Sequence, residues 1–300
     1  MLTANNWKEY EILDSGDGAK LERWGSKPES FVVSRPDPQI LWPKERPELW
    51  DKADGIYTRS KAGVNGWKFQ RELPEKLEIK YENLKFWIRP TDFKHMGLFP
   101  EQAPNWDWLR ATIAASIGQA RRSLDTHAPK ILNLFAYTGG ATIACVSAGA
   151  DVTHVDSARG MIEWTKENLT LNNLRESNVR FIVDDVPKFV ARENRRGVRY
   201  DAIIMDPPSY GRGTKGETWK IEKMLWPLVR SCCDLLSDKP LFLLINSYST
   251  GLDATVISNI IDSALGNRNG KITAHEIALP IAGSHKSLPA GVCGRWESGN

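Results

Sequence analysis

From residue 131 onward, short apolar runs alternate with longer stretches whose apolar residues recur every three or four positions. The runs predict strands at 131–136, 152–155, 179–183, 201–205 and 240–245. The stretches between them predict helices at 140–148, 158–171, 186–195, 219–236 and 253–265. Strand–helix alternation of this kind builds a mostly parallel sheet covered on both faces, so the expected class is α/β and Rossmann-like. The last stretch departs from it: AHEIALP and GVCGRWE read as two strands of a hairpin.

Before residue 90 the pattern is different. EYEIL, SFVVSR, GWKFQ, LEIKY and LKFWIRP alternate over strand lengths and are separated by glycine, proline and aspartate turns. Residues 1–90 are therefore expected to form a small β-rich domain. A connector, TDFKHMGLFPEQAPNWDWL, leads into a helix over 106–122 and the larger domain, 91–300.

Composition narrows the picture. With 41% hydrophobic and 26% charged residues, the 300-residue chain has the makeup of a globular protein. No apolar run reaches the roughly 18 residues that a membrane span needs, and the N-terminus MLTANNWKEY is polar. A cytoplasmic protein without membrane contact is expected. Cys145, Cys232, Cys233 and Cys293 lack metal-ligand spacing, and the five histidines are scattered, so no metal is expected. A net charge of +3 does not by itself indicate nucleic acid. Eight of the twelve tryptophans precede residue 110. Packing of the β domain is the first explanation for them, and stacking on bases is the alternative.

The chemistry-bearing residues cluster where predicted strands end, which is where an open parallel sheet presents its ligand-binding edge. Asn133-Leu134-Phe135-Ala136-Tyr137-Thr138-Gly139-Gly140 ends the first strand in a tight turn, and glycine there lets backbone approach a ligand. Asp156 ends the second strand, 17 residues beyond Gly139, placed to accept both ribose hydroxyls of an adenosine. Ser157 follows it and can cap the next helix. Asp185, with Asp184 as competitor, ends the third strand, where a carboxylate can accept from the adenine amine and Val186 can cover the ring. Capping of the helix from 186 is the other role open to Asp185. Asp206-Pro207-Pro208-Ser209-Tyr210 ends the fourth strand. Its prolines fix the backbone, its carboxylate and carbonyls can orient a ring nitrogen or amine, and Tyr210 can stack on a base.

Charge adds less. Arg192, Arg195, Arg196 and Arg199 read as a solvated helix end away from this edge, whereas Arg212, Lys215, Lys220, His285 and Lys286 are candidate phosphate contacts. The stretch GRGTKGE lacks the spacing of a phosphate-binding P-loop.

In this order the phrases NLFAYTG, DPP followed by an aromatic, and HMGLFPEQ resemble the class I S-adenosylmethionine-dependent methyltransferases. Within them the chain is similar to the branch of large-subunit rRNA methyltransferases of the cytosine-C5 and guanine-N7 types. The resemblance covers about residues 90–296. It implies a seven-stranded sheet with an antiparallel last strand near 291–296, and S-adenosyl-L-methionine as cofactor. It also implies that Phe99, Pro100 and Gln102 join Asn133, Phe135, Tyr137, Gly139, Asp156 and Asp185 around that cofactor. With the neighbouring Ala136, Thr138, Ser157, Asp184, Val186 and Asp206 these make the candidate cofactor set; Asp206, Pro207, Pro208 and Tyr210 make the candidate catalytic set.

One departure bears on the acceptor. Cytosine-C5 members carry a nucleophilic cysteine in a Ser-Cys-Ser stretch, where this chain has Ser247-Tyr248-Ser249. An acceptor that is already nucleophilic, a nitrogen of RNA and of rRNA first, is the resulting expectation. Methylation of a protein or small molecule, and a non-catalytic S-adenosylmethionine-binding protein, are the competing readings. A nicotinamide oxidoreductase would want Gly-x-Gly-x-x-Gly where Phe135–Gly140 stands.

Overall fold

The computed structural model describes residues 1–59, 65–92, 94–122, 127–212 and 216–299, apart from the side chains of Arg59, Asn65 and Arg212. The chain divides into two compact units. One comprises residues 1–2, 105–277 and 290–300; the other comprises 3–104 and 278–289.

After a two-residue strand, β1 (Leu2–Thr3), the β-rich unit is built on a five-stranded sheet. Its strands, in spatial order, are β2 (Tyr10–Gly16), β3 (Ala19–Trp24), β4 (Phe31–Pro36), β5 (Gly55–Arg59) and β6 (Asn65–Phe69). All neighbours are antiparallel except β4 and β5. Asp17 and Gly18, both at positive φ, make the tight turn that joins β2 to β3. A separate hairpin follows, β7 (Leu77–Tyr81) with β8 (Leu84–Ile88).

β3 and β5 are strands that periodicity does not predict. The reason in β3 is a buried charge. Glu22 is fully buried and accepts from Arg35 Nε at 2.5 Å, Arg35 Nη2 at 2.6 Å and the Tyr10 hydroxyl at 2.6 Å. Burial alone would raise the Glu22 carboxyl, but the Arg35 and Lys20 charges outweigh it and hold it at about 2. A fully satisfied ion pair thus occupies a position that an apolar residue would ordinarily fill.

The tryptophans of this unit are used in packing. Trp24 is fully buried, Trp67 stacks on Phe69 at 5.7 Å, and Trp42 and Trp50 donate to Ser15 O and Asp14 Oδ2.

The larger unit follows the predicted order. Helix α1 (Ala103–Arg122) leads into β9 (Lys130–Leu134), α2 (Gly140–Ser147), β10 (Asp151–Asp156), α3 (Arg159–Leu171), β11 (Val179–Val183) and α4 (Val186–Arg195). Then come β12 (Ala202–Met205), the short arms β13 (Tyr210–Arg212) and β14 (Thr218–Lys220), α5 (Ile221–Cys233), β15 (Phe242–Ser247), α6 (Ala254–Leu265), β16 (Gly270–Pro280) and β17 (Ser287–Ser298). The large sheet runs β1-β16-β17-β15-β12-β9-β10-β11, with β9, β10, β11, β12 and β15 parallel and β17 antiparallel to β15. The seven expected strands are present, the last of them antiparallel, and β1 adds an eighth at the edge.

Every residue of β12 (AIIM) and β15 (FLLINS) is buried, as central strands covered on both faces must be. The helix expected at 219–236 is shorter, Ile221–Cys233, because Thr218–Lys220 pairs with Tyr210–Arg212 instead. No helix among the described residues is long and apolar enough to cross a membrane.

Candidate active site

Strand order reverses between β9 and β12: β10 and β11 lie on one side of β9, while β12 and β15 lie on the other. A crevice at the C-terminal tips of the strands is the consequence of such a reversal. Four of the predicted phrases end there.

The turn after β9 has an unusual backbone. Phe135, Tyr137 and Gly139 all have positive φ, at 56°, 50° and 87°. Two non-glycine residues in this region are costly, and such strain collects at ligand sites. Several bonds hold it. Ala136 N–H donates to Val155 O at 3.1 Å, and Tyr137 N–H to Asp156 Oδ2 at 2.9 Å. From α3, Asn168 Nδ2 donates to Thr138 O at 3.0 Å and Thr165 Oγ1 to Tyr137 O at 3.2 Å. Gly139 is required twice over, because a Cβ there would also lie 2.4 Å from Thr165 Cγ2. Thr138 and Ala136 are buried within the turn.

Asn133 sits below the turn, buried, and donates to Thr142 Oγ1 at 2.9 Å; Thr142 in turn meets His154 Nδ1 at 2.9 Å. Burial lowers the His154 pKa to about 3, so this imidazole is neutral and structural.

Asp156 is the pivot between two phrases. Besides the Tyr137 amide, it accepts from Ala158 N–H at 2.9 Å through Oδ1. Burial raises its pKa, and the Ala158, Tyr137 and Ser157 amides pull it back. Ala158, not Ser157, occupies the N-cap position of α3, and no side chain caps it. Each Asp156 oxygen keeps a lone pair for a further donor, which suits a diol.

The two carboxylates after β11 have different tasks. Asp185 caps α4, its Oδ1 accepting from Lys188 N–H at 3.1 Å. Asp184 pairs with Arg192 Nη1 at 2.7 Å. Arg192 was expected among solvated arginines remote from this edge. Long helical side chains point back toward the helix N-terminus, and this one therefore reaches the strand tip. Val186 is buried in the hydrophobic core under α4, whereas Val183, at the end of β11, is 46% exposed.

Asp206 continues β12, its N–H donating to Leu134 O at 3.3 Å, so the fourth phrase is bonded to the end of the first strand. Pro207 is buried; Pro208, Ser209 and Tyr210 are exposed. Sequence reasoning assigned Trp219 to a helix and missed its part. Its Nε1 donates to Pro208 O at 2.6 Å, and its ring lies 5.0 Å from that of Phe135. The Pro208 carbonyl is thereby engaged by the indole. The only hint in the sequence was one large apolar residue flanked by polar ones in ETWK. Ser249 Oγ donates to Ser209 Oγ at 2.7 Å, tying the loop after β15 to the same turn.

All four cysteines are unpaired and buried, and burial raises the thiol pKa of each. Among the described residues, no group of three histidine, cysteine or acidic side chains is placed to hold a metal. Of the predicted phosphate contacts, Lys215 and the Arg212 side chain lie outside the described residues. Lys286 is ion-paired with Glu45 within the β-rich unit. Phe99, Pro100 and Gln102 also belong to that unit. There the Pro100 carbonyl accepts from Trp7 Nε1 at 2.9 Å, and the Phe99 ring lies 5.2 Å from His95.

A strained backbone turn, a half-buried carboxylate with acceptor capacity and a second carboxylate beyond the next strand fit an adenosyl group bound at the strand tips.

Comparison with known proteins agrees. Residues 112–258 match the family model of S-adenosylmethionine-dependent methyltransferases. The crystal structure of the SAM-dependent methyltransferase from Agrobacterium tumefaciens is 34% identical, with a TM-score of 0.89 over 99% of this chain and 92% of that one. SMU.776, solved in complex with SAH, shares the fold at 20% identity, with a TM-score of 0.72 over 97% of this chain and 76% of that one. The ribosomal RNA large subunit methyltransferase K/L of Syntrophotalea carbinolica is 31% identical over 192 residues, 63% of this chain. The chain spans only 25% of that relative's length. From the matched residues, the fold and the strand-tip geometry together, the chain belongs to the S-adenosylmethionine-dependent methyltransferases.

Proposed function

We propose that this protein transfers the methyl group of S-adenosyl-L-methionine to a nitrogen of a nucleobase in RNA, with rRNA the foremost substrate. The observation that carries the reading is the placement of Asp156, Asp185 and Asp206 at the ends of β10, β11 and β12, around the backbone turn that follows β9.

The cofactor supplies an electrophilic methyl carbon on a sulfonium. Asp156 accepts from the ribose hydroxyls, Asp185 from the adenine amine, and the Phe135–Gly139 backbone lies against the rest. Asp206 and the Pro207 carbonyl accept from the acceptor's N–H, which turns its nitrogen lone pair toward the methyl carbon. Tyr210, 51% exposed beside them, stacks on the base. The nitrogen–carbon bond forms as the carbon–sulfur bond breaks, its electron pair stays on sulfur, and the acceptor proton leaves to solvent. Positioning supplies most of the rate.

The choice of nitrogen over a pyrimidine carbon is supported by the thiols. Every cysteine is buried, and Ser247-Tyr248-Ser249 has tyrosine where the cytosine-C5 stretch Ser-Cys-Ser has its nucleophile. The relatives named for large-subunit rRNA support the choice of RNA. The chain acts in the cytoplasm, in keeping with its unpaired buried thiols.

Incubation with labelled S-adenosylmethionine and rRNA from a strain lacking the gene tests the reading. Label in a methylated base on nitrogen is expected. Label confined to protein or small molecules contradicts it.

A further inference from the structure

Three aromatic side chains are exposed in the methyltransferase unit among the described residues: Tyr210 at 51%, Trp226 at 45% and Tyr248 at 38%. They are not scattered. Ser249 Oγ bonds Ser209 Oγ at 2.7 Å, so the loop bearing Tyr248 is tied to the turn bearing Tyr210. Tyr210 faces Lys220 across the β13–β14 pair. Ser209 O then accepts from Ile221 N–H at 3.2 Å, which fixes the start of α5 beside the same turn.

Along α5, Lys223, Trp226, Pro227 and Arg230 stand at i, i+3, i+4 and i+7, and all are exposed. Residues at this spacing share one helix face. The Lys220 and Lys223 side chains make no hydrogen bond or ion pair to any described residue. Arg230 pairs with Asp234 at 2.8 Å, but both side chains are more than half exposed, so the pair opens at little cost. The result is a line running from the catalytic turn down the helix: ring, cation, cation, ring, cation. From Lys220 to Arg230 it extends roughly 15 Å at the helical rise.

An exposed tryptophan between two cations one turn away on either side is poor design for a solvated face. It matches a strand whose bases stack on rings and whose phosphates meet cations. We infer that this face of α5 is a docking track for single-stranded RNA flanking the acceptor nucleotide. The inference rests on the RNA reading above and adds the path by which the strand leaves the site. The occupant is single-stranded because the rings need unpaired base faces, which a duplex keeps covered.

The test is fluorescence anisotropy of a fluorescein-labelled oligouridylate with the full chain and S-adenosylhomocysteine, across a salt series. Trp226→Ala is expected to weaken binding about tenfold, the value of one base stack. Lys220→Gln with Lys223→Gln is expected to flatten the slope of log affinity against log salt by about 1.4. Both variants should keep the wild-type melting temperature and S-adenosylhomocysteine affinity. Unchanged oligouridylate binding in both variants overturns the proposal, as does wild-type protein that binds no oligouridylate at low salt. A change of sedimentation in Trp226→Ala with unchanged RNA binding would assign the face to a second copy and also overturn it. Label transfer to rRNA judges the RNA reading separately, so failure of the track is distinguished from failure of that reading.

Discussion

Trp219 holds Pro208 in place: its indole N–H donates to the Pro208 carbonyl at 2.6 Å while its ring packs 5.0 Å from Phe135. One side chain thus couples the turn that would hold the acceptor to the turn that would hold the cofactor. Trp219→Phe keeps a ring against Phe135 and removes the donor. A lost hydrogen bond of about 1–1.5 kcal/mol predicts roughly tenfold slower methyl transfer. S-adenosylhomocysteine affinity, measured by calorimetry, should be unchanged. An equal loss in both quantities would mean that the bond serves the fold rather than the acceptor.

Gly139→Ala makes a sharper demand. The residue has φ of 87°, and its new Cβ would lie 2.4 Å from Thr165 Cγ2 and 2.9 Å from Thr165 Oγ1. The left-handed conformation costs about 1–2 kcal/mol for alanine, and displacement of Thr165 would break its bond to Tyr137 O. A lower melting temperature and lost S-adenosylhomocysteine binding are expected. Thr165→Ser in the same chain removes the methyl group and should restore part of both.

Asp156→Asn replaces one acceptor oxygen by an amide donor. Either the Tyr137 or the Ala158 N–H then faces another donor. Lost charge-assisted bonds of this kind cost about 1.5–3 kcal/mol. Calorimetry should find S-adenosylhomocysteine binding weakened by ten- to a hundredfold, by the same arithmetic. Affinity within about twofold of wild type would remove Asp156 from the cofactor site.

Much of this was legible in the sequence, for identifiable reasons. The central parallel strands β12 and β15 are buried on both faces and so appear as the unbroken apolar runs AIIM and FLLIN. Helix α3 starts at Arg159 and α4 at Val186, each just after an acidic strand tip. What stayed hidden was structure carried by polar letters or by single residues. Strand β3 (AKLERW) looks exposed, yet Glu22 is buried because Arg35, a distant residue, neutralises it. Arms β13 and β14 are three residues each, too short for any period to register. Arg192 reaches Asp184 only once the helix places it there.

His154 predicts a pH effect. Its pKa is lowered from 6.5 to about 3 by burial, so the neutral form is the folded one. The associated stability is fully present above pH 6.5 and is lost as pH falls toward 3, because the unfolded chain takes up the proton first. Between pH 7 and pH 5 this single group removes about 2 kcal/mol. Urea unfolding of wild type and His154→Gln at both values should show the variant losing less by that amount. Parallel losses would mean that His154 accepts its proton in the folded state.

The account depends on an adenosyl sulfonium bound at the tips of β9, β10 and β11, and a crystal grown with S-adenosylhomocysteine examines that directly. The ribose hydroxyls should lie within hydrogen-bonding distance of Asp156, the adenine amine beside Asp185, and the sulfur toward Asp206 and Pro207. A ligand absent at saturating concentration, or seated away from Asp156 and Asp185, would contradict it.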